Sequence, residues 1–536
     1  MNTSGNRLYS VVISLIVALG GFLLGFDSAV ISGATPFYKG FFGLPTGSWL
    51  IGLSVSAIIL GAIGGNIVAG PLADRFGRKP VLIVTAFLFG FCALGCALAQ
   101  DVYFFIVARV IGGLGVGMAI LVAPMFIAET SPRKLRGLLV TFNQLNIVLG
   151  ISIAYFSNYY IQRTVTDTAI NWRWMLGVGL IPALVYFILL FFVPESPRWL
   201  VRQGREAGAL AVLRRVGGEE HAQTELSEIK ASLESSAGAH SGTSVGQVFS
   251  KQMKTVMIIG FGIAFFQQIT GINAIFYYAP MIFEMAGGGK DAAFMQASIL
   301  GLTNLVMTLV AMALIDRLGR RPLLIIGACG LTVALVLAGA AFRNGSYTLT
   351  DSGLSIVRQE ISKTAGEGNA DQVASALSGM KGVTYDKEVA FFRAIEQRIG
   401  SANYNQHKEL IVKNSITINS TLVLIGLIIY VASFAISLGP VMWALLSEIF
   451  PNRIRGLAIS IVGFWNSIVS FSVATVFPVE LERLGSSTTY FIYALFGFLT
   501  VLFVLKFVPE TKGKSLEQIE KMLVGQSESR KEVTVA

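Results

Sequence analysis

The sequence has few charged residues, few cysteines and few histidines. Only 13% of its 536 residues are charged, whereas a soluble chain carries about 25%. The cysteines lie in apolar stretches without disulfide or zinc-ligand spacing, and the histidines are scattered through polar segments. The residues concerned are Cys92, Cys96, Cys329, His221, His240 and His407. The sequence therefore predicts neither a disulfide scaffold nor a metal site.

Long apolar runs are abundant instead, since 54% of the residues are hydrophobic and the mean hydropathy is +0.67. Runs of about 20 apolar residues can cross a bilayer as helices. Twelve occur, near residues 10–33, 47–70, 80–99, 103–128, 138–162, 174–193, 254–284, 293–315, 322–342, 416–447, 456–478 and 488–508. The first exceeds the ~7–15 residues of a signal-peptide core. We predict an all-α polytopic membrane protein with twelve transmembrane helices.

The net charge of +10 does not indicate nucleic-acid binding, because the basic residues cluster in alternate short loops. Four of these loops hold Arg75, Arg78, Lys79, Arg133, Lys134, Arg136, Arg317, Arg320, Arg321, Arg453 and Arg455. The opposite loops hold only Lys39, Arg163, Arg173, Lys290 and Arg483. By the positive-inside rule the first set is cytoplasmic, and with twelve spans both termini are expected there too.

The chain also repeats itself. "DRFGRKP" at 74–80 returns as "DRLGRRP" at 316–322, "ETSPRKLRG" at 129–137 returns as "EIFPNRIRG" at 448–456, and "PESP" at 194–197 is echoed by "PETK" at 509–512. These repeats predict two six-helix halves, 1–193 and 254–508, joined by a cytoplasmic linker at 194–253. An external insert occupies 343–413, and a cytoplasmic tail occupies 509–536. Parallel six-span repeats are typical of transporters that rock one half against the other.

The repeated motifs resemble those of the major facilitator superfamily, and within it the sugar porters. "GPLADRFGRKP" is similar to the superfamily's loop-two motif, and "PESPRWL" and "PETKG" are similar to the sugar-porter signatures after spans six and twelve. "RVIGGLGVGM", "QQITGIN" and "GPVMWALLSEIFPNRIRG" also match. The resemblance covers all twelve spans and is closest to the xylose–proton symporter type and glucose carriers. The glycines of "GGLGVG" follow no strand, so they favour close helix packing over a nucleotide loop.

Charged residues lie where several predicted spans meet the cytoplasm. Acids at such positions can cap helix starts or pair with guanidinium groups. The resemblance implies a latch that keeps the cytoplasmic side closed while the outside is open. Its candidate members are Asp74, Arg75, Arg78, Glu129, Arg136, Asp316, Arg317, Arg320, Glu448 and Arg455. The alternative is that these residues serve topology and capping alone.

Amides and aromatic side chains inside the spans are candidates for sugar recognition, since an amide both donates and accepts hydrogen bonds. The resemblance implies sugar contacts at Gln144, Gln267, Gln268, Asn273, Asn304, Phe434, Gly439, Trp443 and Asn466, and an outer gate at Tyr277 and Tyr278. An unbroken helix would put Gln268 and Asn273 on different faces, but Gly271 permits a local break. The alternative to sugar binding is that these buried amides only form hydrogen bonds between neighbouring helices.

Three positions depart from the xylose symporter. Ile151 replaces its second span-five glutamine, as is usual in glucose carriers, and Ser467 stands where the family has a tryptophan on span eleven. These two departures leave the sugar open. Gly179 replaces the span-six glutamate and weakens any proton pathway that needs two acids.

Asp27 and Arg109 are the only opposite charges placed deep in the amino-terminal half. An acid at membrane depth costs ~2.5–3.5 kcal/mol on insertion scales, so pairing is expected. We interpret Asp27 as the proton-coupling group, which pairs with Arg109 only when deprotonated. The xylose symporter type has the same two residues in these places.

The sequence thus predicts a non-enzymatic secondary active transporter. It would import a monosaccharide, a hexose such as glucose or galactose or a pentose such as xylose, by proton symport with alternating access. The alternatives are a facilitative uniporter and a non-transporting sugar sensor. No cofactor, metal or nucleic-acid partner is expected. The predicted partners are the sugar, the proton and the lipid bilayer, for a monomer in a bacterial inner membrane.

Overall fold

The computed structural model describes residues 7–45, 47–238, 245–451 and 454–524. Twelve of its helical segments are long and apolar enough to cross a membrane. The first six spans are built from α1 (Arg7–Phe41), α2 (Trp49–Phe76), α3 (Arg78–Leu98), α4 (Val102–Thr130), α5 (Arg133–Thr164), α6 (Asn171–Gly177) and α7 (Leu180–Leu190). The sixth span consists of both α6 and α7, which meet at Val178 and Gly179.

The segment after the sixth span forms short surface helices. They are α8 (Pro197–Arg202), α9 (Glu206–Gly217), α10 (Glu219–Gly238) and α11 (Val245–Val248), followed by a single 3-10 turn at Lys251–Met253. The seventh to ninth spans consist of α12 (Lys254–Ile269), α13 (Ile272–Met285), α14 (Lys290–Leu318) and α15 (Arg320–Arg343). The seventh span is broken between α12 and α13.

The insert extends beyond the predicted 413 to Thr417, because the predicted start of the tenth span is a strand, and it adds the only β-strands in the part of the chain that the structure describes. Its elements are β1 (Ser346–Thr348), α16 (Asp351–Ala365), α17 (Glu367–Ser378), β2 (Thr384–Tyr385), α18 (Glu388–Lys413) and β3 (Ile416–Thr417). The strands form an antiparallel sheet in the order β2-β1-β3, with Tyr347 opposite both Tyr385 and Ile416. A core around Phe391, Ile395 and Leu377 gives the insert an apolar interior of its own.

The last three spans are α19 (Ser420–Ile436) with α20 (Leu438–Ile449), α21 (Arg455–Leu484) and α22 (Ser486–Phe507), followed by α23 (Leu516–Val524) in the tail. The observed fold is therefore the predicted twelve-helix membrane fold with two six-helix halves. The sequence predicted the insert but not its sheet, because strands of two or three residues are too short to show an alternating pattern.

Packing divides the chain differently from its sequence repeat. One compact unit comprises Met1–Ile31, Ser56–Ser157 and Arg173–Val245, and the other comprises Ser32–Val55, Asn158–Trp172 and Gly246–Ala536. The ends of α1, α2 and α5 thus pack in the same unit as the carboxy-terminal half.

In the first unit, α2 and α4 approach each other through glycines. A Cβ on Gly113 would lie 2.2 Å from the Ile58 carbonyl oxygen, and one on Gly117 would lie 2.2 Å from that of Ala62. Such contacts leave no room for a side chain. They confirm that the "GGLGVG" glycines serve close helix packing.

In the second unit, the α1 and α2 segments pack tightly on the carboxy-terminal helices. The rings of Phe37 and Phe294 are 6.1 Å apart, and Lys290 lies 5.0 Å from the centre of the Phe37 ring. A Cβ on Gly52 would lie 1.8 Å from the Thr475 carbonyl oxygen. A residue with any side chain at position 52 is therefore incompatible with this contact.

We expect Gly52→Val to open this contact. Phe37 is 6% exposed, so a cysteine in its place is shielded from water while the contact is closed. The exposed Cys329 is replaced by serine, and the rate at which a hydrophilic maleimide modifies the new cysteine then reports opening. Adding Gly52→Val should raise that rate severalfold in nanodiscs. Gly70→Val is the control, because a Cβ there meets no heavy atom within 4 Å. Equal rates in the two variants would contradict the prediction.

Candidate functional site

The second unit contains a break in the seventh span that is lined by amides. Gly271 has a φ of +93°, a left-handed conformation that ends α12 and begins α13 in a new direction. A Cβ there would lie 2.5 Å from the Tyr493 ring. The freed carbonyl of Thr270 accepts a hydrogen bond from the Tyr430 hydroxyl at 2.9 Å. The break expected at Gly271 is therefore present and its backbone is satisfied.

Four amide side chains form a continuous network at this break. Asn273 Nδ2 donates to Gln268 Oε1 at 2.9 Å, and Gln268 Nε2 donates to Asn466 Oδ1 at 3.2 Å. Asn466 Nδ2 then donates to Gln267 Oε1 at 2.9 Å. Gln267, Gln268 and Asn466 are less than 9% exposed, whereas Asn273 is half-buried. The break thus brings Gln268 and Asn273 together despite their spacing.

The same network reaches a second discontinuous helix. The tenth span is interrupted at Ser437, between α19 and α20, and Gln267 Nε2 donates to the Leu438 carbonyl at 2.8 Å. Gly439 is half-buried close to this point, and a Cβ on it would lie 3.3 Å from the Phe434 ring. Broken helices that expose backbone groups near amides are typical of substrate sites in membrane transporters.

The other candidate sugar residues take no part in the amide network. Asn304 is buried on α14 and takes no part in the hydrogen bonds described above, while Trp443 on α20 is 46% exposed. Gln144 lies on α5 in the first unit and is exposed. Tyr277 and Tyr278 are both buried, and the Tyr278 hydroxyl donates to the Ala474 carbonyl at 3.1 Å.

Sequence reasoning missed two members of this site. Ser470 Oγ accepts a hydrogen bond from Asn273 Nδ2 at 2.6 Å, and Tyr430 caps the end of α12. Ser470 lies one turn after Asn466 on α21, so the helical repeat could have indicated it. Tyr430 is far from the seventh span in sequence, and no helical repeat relates it to a residue of the site.

The first unit holds the pair Asp27 and Arg109. Arg109 is fully buried, and its Nη1 lies 3.4 Å from Asp27 Oδ1 and 3.5 Å from the Asp27 carbonyl oxygen. Charge-assisted N–H···O bonds are normally about 2.7–2.9 Å long. Asp27 Oδ2 is buried and has no hydrogen-bond partner among the described residues. Arg109 therefore lies beside Asp27, with one long contact to its carboxylate and another to its backbone carbonyl.

The surroundings of Asp27 are mainly apolar. A small cavity beside it is lined by Phe26, Phe89 and Gly179, among others. The thiol of Cys92 lies 3.9 Å from Asp27 Oδ1. The sequence pattern around Cys92 predicted neither a disulfide nor a metal site and did not indicate this contact. Gly179 adds no second carboxylate to the cavity.

A cluster of charged residues joins α2, α3, α4 and α8 within the first unit. Arg78 binds Glu129 through two hydrogen bonds of 3.0 Å and reaches Asp74 at 3.4 Å. The hydroxyl of Ser196 donates to Glu129 at 2.5 Å. Glu195 accepts from the backbone N–H of Arg78 at 2.9 Å and from that of Lys79. We call these residues the Arg78 cluster.

The second unit contains a corresponding Arg320 cluster. Arg320 lies 2.8 Å from Glu448 and 3.3 Å from Asp316. The hydroxyl of Thr511 donates to Glu448 at 2.6 Å, and Glu510 accepts from the backbone N–H of Arg320 at 3.1 Å. Each member occupies the position of its counterpart in the Arg78 cluster, so the sequence repeat is also a repeat of contacts.

The acids that cap helix starts are Glu195 and Glu510, not the four acids of the predicted latch. Both follow a span and accept from the first N–H groups of α3 and α15, where the helix dipole favours a negative charge. Burial raises the pKa of Glu195, while the N–H groups of Ser196, Arg78 and Lys79 act in the opposite direction. The repeated "PES" and "PET" motifs pointed to Glu195 and Glu510, but neither acid was among the latch candidates.

Three predicted latch arginines lie apart from these clusters. Arg75 and Arg317 have exposed side chains. Arg75 lies over the ring of its neighbour Phe76, and Arg455 donates to the Phe450 carbonyl at 3.1 Å. The Arg136 side chain lies outside the described residues. Within the described part of the chain, no group of three or more histidine, cysteine or acidic residues is arranged to hold a metal.

We predict that Arg78→Lys and Arg320→Lys destabilise the protein in parallel. Lysine keeps the charge but cannot form the forked contact with Glu129 or Glu448, and hydrogen bonds to charged groups are worth about 1.5–3 kcal/mol. The midpoint of heat-induced aggregation should fall in both variants, more for the better buried Arg78. Arg75→Lys should leave the midpoint unchanged, and an equal fall in that control would contradict the prediction.

The sequence is similar to characterised transporters along nearly its whole length. Residues 13–357 and 403–523 match the family model described as "Sugar (and other) transporter". The chain is 34% identical to the arabinose-proton symporter of Bacillus subtilis (strain 168) over 519 residues, 96% of this chain and 95% of that protein. It is also 34% identical to the D-xylose-proton symporter of Escherichia coli (strain K12) over 555 aligned positions, 97% of each.

The fold is similar as well. An inward-open structure of the E. coli xylose transporter matches with a TM-score of 0.72 and 32% identity, covering 96% of this chain and 100% of that one. The sequence match, the twelve spans and the repeated clusters agree with one another. The chain is an integral membrane protein and belongs to the sugar transporter family of the major facilitator superfamily.

Proposed function

We propose that this protein imports a monosaccharide by proton symport, with Asp27 as the group that binds the coupling proton. The observation that carries the proposal is the single 3.4 Å contact between Asp27 and the fully buried Arg109. The names of the arabinose and xylose relatives, both proton symporters, support it.

The geometry of this pair suits a proton switch. The Arg78–Glu129 pair has two bonds of 3.0 Å. The Asp27 carboxylate has one 3.4 Å contact to Arg109, and its Oδ2 atom has no hydrogen-bond partner among the described residues. A carboxylate surrounded by apolar groups favours the neutral form, and a nearby guanidinium favours the charged form. Small changes in their separation can therefore shift the carboxyl between the two states.

The amide network is the proposed sugar site. Its amides both donate and accept, as hydroxyl recognition requires, and they fix one another in position. Asn273, the half-buried end of the network, and the 46% exposed Trp443 offer accessible contacts. Ile151, at a position where the xylose symporter has glutamine, favours a hexose over a pentose.

We further propose that the two arginine clusters face the cytoplasm and that the insert is external. Both termini are then cytoplasmic, in a bacterial inner membrane, and the protein acts as a monomer without enzymatic activity. Each cluster keeps the cytoplasmic helix ends of its own half together while the halves move. The contacts support this part of the predicted latch.

The first test compares wild type with Asp27→Asn in proteoliposomes, using labelled glucose and xylose. Asparagine keeps the shape of the side chain but cannot bind or release the proton. We expect it to abolish uptake driven by an imposed proton gradient while preserving counterflow without a gradient. Preservation of driven uptake would mean that the protein is a facilitator or uses another acid. Absence of both modes in wild type would favour a sensor.

A second test removes one member of the amide network. Gln268→Ala deletes its bonds to Asn273, Gln267 and Asn466, and each is worth about 0.5–1.5 kcal/mol. We expect counterflow to require at least tenfold more sugar. Gln223→Ala on α10 is the control, since that side chain is exposed and donates to Glu219 on the same helix, away from the amide network. An unchanged concentration dependence in Gln268→Ala would rule out this site.

A further inference from the structure

A large cavity lies under the insert, away from the amide network. Its volume is about 860 Å³ and its walls come from the end of α1, the end of α13, and α18, all in the second unit. This volume is within the range of roughly 300–1,000 Å³ that is usual for small-molecule sites. The symport mechanism described above assigns no role to this cavity.

Two buried polar atoms at the cavity have no hydrogen-bond partner among the described residues. They are Nε2 of His407, whose residue is 4% exposed, and Oε1 of Glu284. A buried polar group without a partner costs about 1–3 kcal/mol. Burial lowers the pKa of His407, so its imidazole is neutral at pH 7 and carries one donor and one acceptor nitrogen. Both His407 and Glu284 line the cavity, but their two unpartnered atoms have almost no water-accessible surface, so a ligand satisfies them only when the side chains turn toward it.

The charges at the cavity are mixed. Glu284 lies within electrostatic range of Lys39, Lys290 and Lys413, and Lys408 forms an ion pair with Glu482. A strongly anionic ligand would be opposed by the three glutamates that line the cavity, Glu284, Glu360 and Glu482, and a cation by the lysines. A neutral ligand with many hydroxyls can donate to the carboxylates and accept from the ammonium groups at the same time.

Aromatic and apolar surfaces complete the cavity. Phe41, at the end of α1, is 42% exposed, and its ring can cover the apolar face of a pyranose. Phe392, on α18, adds apolar wall, and the Lys408 ammonium lies 3.5 Å from the centre of its ring. Phe392 and Ala402 belong to residues 358–402, which lie outside the family match. Part of the wall is therefore built from a segment that the family model does not contain.

We propose that this cavity is a second binding site for a neutral, polyhydroxylated ligand of the sugar class, on the insert side of the membrane. The inference rests on the proposed function, because it takes the transported sugar as the ligand. His407 and Glu284 supply the specific hydrogen bonds, and the insert closes the site from above. The site holds sugar independently of the amide network.

The test measures how many sugar molecules bind each chain. Labelled D-glucose and D-xylose are titrated on the whole protein in nanodiscs, over a fixed concentration range that just saturates wild type, for wild type, Gly40→Trp, Gln268→Ala and the double variant. Gly40 lines the cavity, and a Cβ there meets no heavy atom within 4 Å, so tryptophan fills the space without a clash. Gly368→Trp is the matched control on the exposed face of α17.

We expect two bound sugar molecules per chain for wild type and for the Gly368→Trp control. Gly40→Trp and Gln268→Ala should each bind one, and the double variant none. His407→Leu should weaken the same equivalent that Gly40→Trp removes. One equivalent in wild type, lost in Gln268→Ala and retained in Gly40→Trp, would overturn the second site. One equivalent lost only in Gly40→Trp would instead uphold the cavity and refute the amide network as the transport site.

Discussion

Backbone groups freed inside a membrane must find partners within the protein, and this constraint shapes the candidate sugar site. The seventh and tenth spans are both broken. The Tyr430 hydroxyl satisfies the carbonyl of Thr270 at the end of α12, and Gln267 donates to the carbonyl of Leu438 in the first turn of α20. Without such partners each break would cost several kcal/mol. Tyr430 thus stabilises the break in the seventh span, Gln267 joins it to the tenth span, and the amides present polar groups at membrane depth, where a hydroxylated substrate needs them.

Two kinds of arginine–carboxylate pair occur in this structure, and they differ in how completely the carboxylate is hydrogen-bonded. Arg78 and Arg320 sit at helix ends, make short contacts to Glu129 and Glu448, and are supported by Ser196 and Thr511. Asp27 and Arg109 are deep within their helices and share one long contact. Tight pairs with every oxygen satisfied hold helices together, while a loose pair with an unsatisfied oxygen can change protonation state. The difference is one of hydrogen-bond geometry, since both kinds pair arginine with a carboxylate.

The sequence predicted the twelve spans, the two-half plan and the glycine-mediated packing, because each leaves a periodic or repeated pattern. It also indicated the break at Gly271, since only glycine readily adopts a φ of +93°. It did not show that Ser470 and Tyr430 belong to the site, or that Cys92 contacts Asp27, since these contacts join residues far apart in the chain. The capping roles of Glu195 and Glu510 were also missed, because a motif shows which residues recur but not which backbone N–H groups they face.

The insert shows how a transporter fold can gain a site without changing its core. Its small sheet and apolar interior give it a structure of its own, and Glu388 ties it to α22 by accepting from the N–H and hydroxyl of Ser486. Burial raises the pKa of Glu388, opposed mainly by those hydrogen bonds. A second anchor joins Lys408 and Tyr404 to Glu482. Two anchors to adjacent helices α21 and α22 keep the insert in place, and a rigidly held cover can enclose a cavity that a mobile loop could not maintain.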